Sequence, residues 1–462
     1  MIRIRGWGIR LFVILAAIIG TYTLSPNRYA YKAVFGERVN KNYVVVISVD
    51  ALNAKDFNLI KDLPNFKKLI NNGSYVKEVV GIYPSLTYPS HTSIVTGVYP
   101  NKHGIMNNKY NQVGVKNPEW YWYYKDIKVP TIYDLAKQKK LKVGTLAWPV
   151  TAGAPVDYNY PEIWSSNQSE SEEELIKRNG TSSFVSEVRE KFGKDLKERK
   201  QPELDDFITN SAAYLIKNKR PELLLVHLVE LDSKRHGYGA DAPILKETLK
   251  RQDERIGKII NAVKAEGIYD NTTFVVLGDH GFIDIDKKIN LNVAFKNDGL
   301  IQVDQNEQVV KWKVWLDSCD GSAYINLKDK NDVENKNRVK AILNSYKSNK
   351  EYGIEEVYTR EDIKAFNGNP EADFMLEAKK GFFFSNDWQG NEVVEKSKSL
   401  GTHGFSPLKP DYNTFFLVSG AKAKKGVILS KINLVDEAPT IAKLLEIDLN
   451  NIDGKAIDDL IK

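Results

Sequence analysis

Apolar positions along the 462 residues fall into two kinds of run. Five are short and continuous, at 44–50, 143–148, 223–229, 274–278 and 415–419, too short for helices and typical of strands buried on both faces. Between several of them, 131–139, 204–217 and 244–265 carry apolar residues at helical spacing. The alternation predicts an α/β fold, a mostly parallel central sheet flanked by helices on both faces. Segment 290–395 breaks the pattern. It is rich in Lys and Asn, with polar strands at 308–316 and 322–327 and a helix near 332–347, and reads as a smaller α+β insertion or cap. From 414 the α/β pattern resumes and ends in a helix at about 435–446. The predicted organisation is a leader at 1–25, a linker at 26–41, a catalytic core at 42–289 and 396–462, and the insertion at 290–395.

The leader has its own pattern. Arg3, Arg5 and Arg10 precede an apolar run from Leu11 to Leu24, which Pro26, Asn27 and Arg28 end. A basic flank before a short apolar stretch marks a signal peptide or N-terminal membrane anchor. No A-x-A cleavage site follows, so the expectation is a single anchor with the catalytic domain extracytoplasmic, or else a secreted protein. Charge agrees that this segment stands apart. The net charge is +6, and residues 1–40 hold six Lys/Arg against one acid. The rest is nearly balanced, so no nucleic-acid binding is expected. A single cysteine, Cys319, excludes an intrachain disulfide and a Cys-based zinc site.

Ligands of open parallel sheets bind beyond the carboxyl ends of the strands. Asp50, Asp232 and Asp279 stand at three such ends, with His236 and His280 close in sequence, and His403 just precedes the last apolar strand. Hard carboxylates with imidazoles suit zinc or manganese. Of the six histidines, His227 lies inside a strand and reads as a core residue, while His91 and His103 flank a helix in capping or packing roles. Thr87 lies in a loop entering a short helix, where backbone N–H groups favour a bound phosphate, although a lone Thr there is ordinarily a cap.

These segments, in this order, resemble the alkaline phosphatase superfamily, most nearly its nucleotide pyrophosphatase/phosphodiesterase branch. The likeness rests on Ser48-Val-Asp50, Pro84-Ser-Leu-Thr-Tyr-Pro-Ser-His91, Ile94-Val-Thr-Gly97 with Pro100-Asn-Lys-His-Gly104, Asp232-Ser-Lys-Arg-His236, Gly278-Asp-His-Gly281 and Thr402-His-Gly404. It implies an alkaline-phosphatase-like fold and two Zn2+ ions, Mn2+ being compatible with the same donors. One ion would be held by Asp232, His236 and His403, the other by Asp50, Asp279, His280 and the hydroxyl of Thr87. It further implies that Thr87 attacks phosphorus and that a phospho-threonine intermediate is then hydrolysed. Three carboxylates and one alkoxide would leave two divalent ions near neutrality, ready for an anionic ester.

Where the branch usually has Asn three residues after the nucleophile, this chain has Ser90. Tyr88 stands where the family often has Phe beside a nucleobase, and Tyr158 and Tyr160 are further candidates for that wall. Lys234 and Arg235, between two proposed ligands, read as solvated surface. The implied function is cleavage of phosphodiester or pyrophosphate bonds in a small phosphate ester or nucleotide. The alternatives are a phosphomonoesterase, phosphonate hydrolase or phospho-headgroup transferase of the same superfamily and, more remotely, a non-catalytic surface binding protein.

Overall fold

Successive side chains of the strand Tyr43–Val49 point to opposite sides, and both sides are apolar. Val45, Ile47 and Val49 join one core; Val44 and Val46 join another. The first core also takes residues of the helices Glu203–Lys219, Leu245–Ala265 and Ser182–Phe192, the second those of Thr87–Thr96, Ile132–Gln138 and Glu437–Leu444. This central strand thus lies in a sheet covered on both faces, as continuous apolar strands require.

The computed structural model describes residues 41–166, 169–196 and 200–462, of which 42–462 form one compact unit. The proposed leader lies outside the described residues. Among those residues no helix is long and apolar enough to cross a membrane.

The main sheet has eight strands in the order Ile428–Asn433, Gly73–Val80, Thr414–Gly420, Thr272–Leu277, Tyr43–Val49, Leu223–Leu228, Val143–Leu146 and Tyr158–Tyr160. All run the same way except Thr414–Gly420, which is antiparallel to both neighbours. Three of these strands escape the apolar-run reading. Gly73–Val80 alternates with exposed positions, Ile428–Asn433 is a largely exposed edge, and Tyr158–Tyr160 is only three residues long.

A second sheet is antiparallel throughout, in the order Val314–Cys319, Ser322–Leu327, Phe374–Ala378, Ile354–Thr359, and packs with the helix Val333–Ser348 in its own core. The predicted 308–316 strand is in fact two. Val309–Trp312 pairs with Ile301–Val303, and the chain then enters the second sheet at Val314. A third set of strands centres on Ile283–Ile289, which pairs with Gly381–Phe384, Val394–Lys396 and Gly401–Thr402. That last pairing carries the chain back to the main sheet directly before His403.

Candidate active site

Three neighbouring parallel strands deliver acidic residues and histidines to one sheet edge, just beyond their carboxyl ends. Asp50 follows Tyr43–Val49 and is anchored by its N–H donating to Leu228 O at 2.9 Å. Asp279 and His280 follow Thr272–Leu277 on one side of it. On the other side, Leu223–Leu228 leads into the helix Glu230–Tyr238, where Asp232 and His236, four residues apart, share a face. The reversed strand explains His403. Because Thr414–Gly420 runs against its neighbours, the segment before it, rather than after it, reaches this edge. His403 is held there by its carbonyl, which accepts from Gly321 N at 2.9 Å. Gly404 adopts φ +82°, and a Cβ at that position would lie 1.9 Å from Cys319 O, so only glycine allows this approach.

Thr87 is the first residue of the helix Thr87–Thr96, at the end where N–H groups are unpaired and the dipole is positive. Its Oγ1 lies 3.1 Å from His280 Nε2. One turn on, His91 bridges Thr87 O and Ser48 Oγ, each at 2.8 Å, tying the helix start to the central strand.

The proposed ligands therefore meet. Asp232 Oδ1 lies 3.4 Å from His236 Nε2 and 3.7 Å from His403 Nε2. His280 Nε2 lies 3.1 Å from Asp50 Oδ1 and 3.3 Å from Asp279 Oδ2. Donor atoms of Asp232, His236 and His403 all fall within 4.8 Å of one another, as do those of Asp50, Asp232 and His280. His236 Nδ1 faces the carbonyl of Gly401 at 3.0 Å and His280 Nδ1 that of Gly281 at 3.2 Å. Each donates there, which turns Nε2 into the cluster. The two halves differ in access: the side chain of His236 is 34% exposed, whereas those of Asp279 and His280 are fully buried.

Protein groups relieve the charges of this cluster only in part. Burial, and then the charge on Asp50, pushes Asp279 up to about 7; burial raises Asp232 to about 6. Asp50 itself stays well below the usual range, because the hydrogen bond from His227 and the nearby positive charge of His280 outweigh its burial. Burial opposes charge on His280, yet Asp279 and Asp50 push it up to about 10. Asp50 Oδ1, Asp232 Oδ1, Asp279 Oδ2 and His403 Nδ1 are buried without a hydrogen-bond partner. Such atoms are costly unless something compensates them. Oxygen and imidazole donors converging with three orphaned carboxylate oxygens fit divalent cations.

The candidate substrate residues fare differently. Ser90 is fully buried, and its hydroxyl has no hydrogen-bond partner among the described residues. A second polar side chain next to Thr87 is Asn108, whose Oδ1 accepts from Tyr88 N at 2.9 Å. Tyr88 is buried beneath Trp120 and Trp122, at ring distances of 5.3 and 5.7 Å. Trp164 meets both tryptophans at 5.0 and 3.9 Å. Half-buried Trp120 and Trp164 therefore present the aromatic surface on this side. Tyr158 and Tyr160 do not join it: Tyr158 packs on Phe184, and Tyr160 on Phe207 beside Arg189, at the sheet edge. Arg235 is no surface residue either. It is fully buried, and its Nη2 donates to both Asp56 carboxylate oxygens at 2.7 Å. Asn108, Trp120 and Trp164 end no strand, so position alone does not single them out. The run Glu119-Trp-Tyr-Trp-Tyr-Tyr124 was the available signal.

The model of a family described as type I phosphodiesterase / nucleotide pyrophosphatase matches residues 44–406. Human ectonucleotide pyrophosphatase/phosphodiesterase family member 1 is 29% identical over 232 residues, 47% of this chain and 21% of that protein. The bis(5'-adenosyl)-triphosphatase ENPP4 of Bos taurus is 24% identical over 423 residues, 87% of this chain and 78% of that protein. The chain thus spans about a fifth of the first relative and about three quarters of the second. The fold is similar to that of murine ectonucleotide pyrophosphatase / phosphodiesterase 5, with a TM-score of 0.65 at 18% identity, over 91% of this chain and 100% of that one. An inactive variant of the same murine protein has been solved in complex with AMP, with a TM-score of 0.64 over the same shares of the two chains. The chain belongs to the type I phosphodiesterase / nucleotide pyrophosphatase family, a family named for the hydrolysis of phosphoric esters.

Proposed function

We propose that this protein cleaves phosphodiester or pyrophosphate bonds in nucleotides, with Thr87 as nucleophile. The observation that carries this is the Thr87 hydroxyl at a helix N-terminus, 3.1 Å from His280 Nε2 and next to a buried set of Asp and His donors. Asp232, His236 and His403 would hold one divalent ion and Asp50, Asp279, His280 and Thr87 a second, zinc suiting the donors. When bound, such ions supply positive charge that stabilises the attacking and departing oxygens.

The chain's own residues do the rest. The helix N-terminus directs N–H groups and a positive dipole end toward the incoming phosphoryl group. His91 fixes the Thr87 backbone, so that the hydroxyl is aimed before substrate arrives. The Thr87 hydroxyl gives up its proton to solvent, and its Oγ then forms a bond to phosphorus as the bond to the leaving oxygen breaks, that oxygen departing with the rest of the substrate and taking up a proton from water. Water then breaks the threonine–phosphorus bond and releases a nucleoside monophosphate. Asn108, whose Oδ1 accepts from Tyr88 N, would donate its amide nitrogen to a non-bridging oxygen. Trp120 and Trp164 offer faces for a base, which AMP bound to the murine relative supports as a substrate class. That relative is described as inactive with a single threonine-to-alanine change, which supports a nucleophilic threonine. The basic-flanked apolar run at 11–24 supports export, with anchoring or secretion to follow.

The test compares hydrolysis of a nitrophenyl nucleotide diester with that of nitrophenyl phosphate by the zinc-loaded protein. A ratio well above one is expected. A ratio well below one would replace the diesterase with a phosphomonoesterase.

A further inference from the structure

His227 is fully buried inside the strand Leu223–Leu228, in register with Ser48 of the neighbouring strand. An imidazole among leucines and valines needs two partners, and both of its nitrogens have one. Nδ1 lies 3.0 Å from Ala147 O, and Nε2 lies 3.0 Å from Asp50 Oδ2. Both partners are acceptors only, so both nitrogens donate. Glu162 Oε2 lies 3.8 Å from Nδ1, on the segment that continues to Trp164. Asp50 is thereby divided: Oδ2 is committed to His227, while Oδ1 is left facing His280 Nε2 at 3.1 Å without a hydrogen bond.

We propose that His227 is a positioning residue for Asp50, selecting through its Nε2–H the single carboxylate oxygen offered to a cation in the deep half of the site. The inference rests on the cation reading given above. A carboxylate left with both oxygens free would rotate and alternate between binding modes; one oxygen tethered by a buried donor holds the other in place. The tether is rigid because the ring is clamped on its far side by Ala147 O and packed edge-on against His91, at 4.4 Å between ring centres. His227 touches no substrate in this account and acts only through Asp50.

Two amide replacements separate this role from simple core filling. In His227→Gln the amide nitrogen replaces Nε2 and keeps the donor to Asp50; in His227→Asn it replaces Nδ1 and keeps only the donor to Ala147 O. Zinc binding to the metal-stripped full chain is measured by calorimetry, beside the melting temperature of the stripped proteins. Wild type is expected to bind two equivalents. His227→Asn should weaken one equivalent roughly 10- to 100-fold and leave the other unchanged, and His227→Gln should restore it, at similar melting temperatures. Wild-type affinity for both equivalents in His227→Asn would overturn the proposal, as would equal weakening of both equivalents in the two variants. A wild type that binds no zinc would overturn the cation reading itself, a result distinct from either.

Discussion

The two halves of the site are built by different means. The deep half, Asp50, Asp279, His280 and Thr87, comes from adjacent strand ends and a helix start, and backbone hydrogen bonds fix it before any ligand arrives. The mouth half, Asp232, His236 and His403, comes from a helix and from a loop returned by a reversed strand, and His236 is open to solvent. Rigidity and burial on one side suit a nucleophile that must be aimed; access on the other suits a group that must leave. The contrast teaches that one sheet edge can supply both, provided that one strand runs backwards.

The sharpest way to break the comparison is at Thr87. Thr87→Ala should lower kcat for a nitrophenyl nucleotide diester by at least about 10³-fold while leaving the mouth donors able to bind metal. Activity within tenfold of wild type would remove Thr87 from the chemistry. Next in size is the aromatic side. Trp164→Ala should raise KM for the nucleotide diester by roughly 5- to 100-fold, equivalent to about 1–3 kcal/mol of stacking, and should leave bis(nitrophenyl) phosphate nearly unaffected. Equal effects on both substrates would make Trp164 a packing residue.

The smallest effect concerns the buried charges of the metal-stripped protein. In the fold Asp232 and Asp279 are raised to about 6 and about 7, so they hold protons that the unfolded chain has released above about pH 4. His227 and His280, raised to about 9 and about 10, hold protons that the unfolded chain loses above about pH 6.5. In both cases the folded state binds more protons, so stability falls as pH rises. The melting temperature of chelated protein should drop between about pH 5 and about pH 9, and added zinc should restore most at the alkaline end. Asp50, held low, acts only at more acid pH. Asp279→Asn removes part of the penalty: it should melt above wild type when chelated at pH 8 and gain less from zinc. A chelated wild type that grows more stable toward pH 9 would contradict the charge account.

Legibility in the sequence follows the same division. Strands buried on both faces write themselves as unbroken apolar runs, so Asp50, Asp232 and Asp279 are conspicuous at their ends. His403 is visible as a histidine just before the last apolar strand, but nothing local announces that Thr414–Gly420 is reversed, which is what brings that segment to this edge. Strands with exposed positions, such as Gly73–Val80 and Ile428–Asn433, lack the run and go unread. Asn108 and Trp164 belong to loops brought in by tertiary packing, which spacing along the chain does not encode. Arg235 shows the opposite error: a charged side chain read as solvated is buried because Asp56 meets it.

The most direct measurement is to quench the reaction in acid during turnover of a nucleotide diester and map the modified peptide. The account predicts a nucleotidyl group on Thr87, present in wild type and lost in Thr87→Ala. An adduct on another residue, or full turnover by Thr87→Ala, would contradict it.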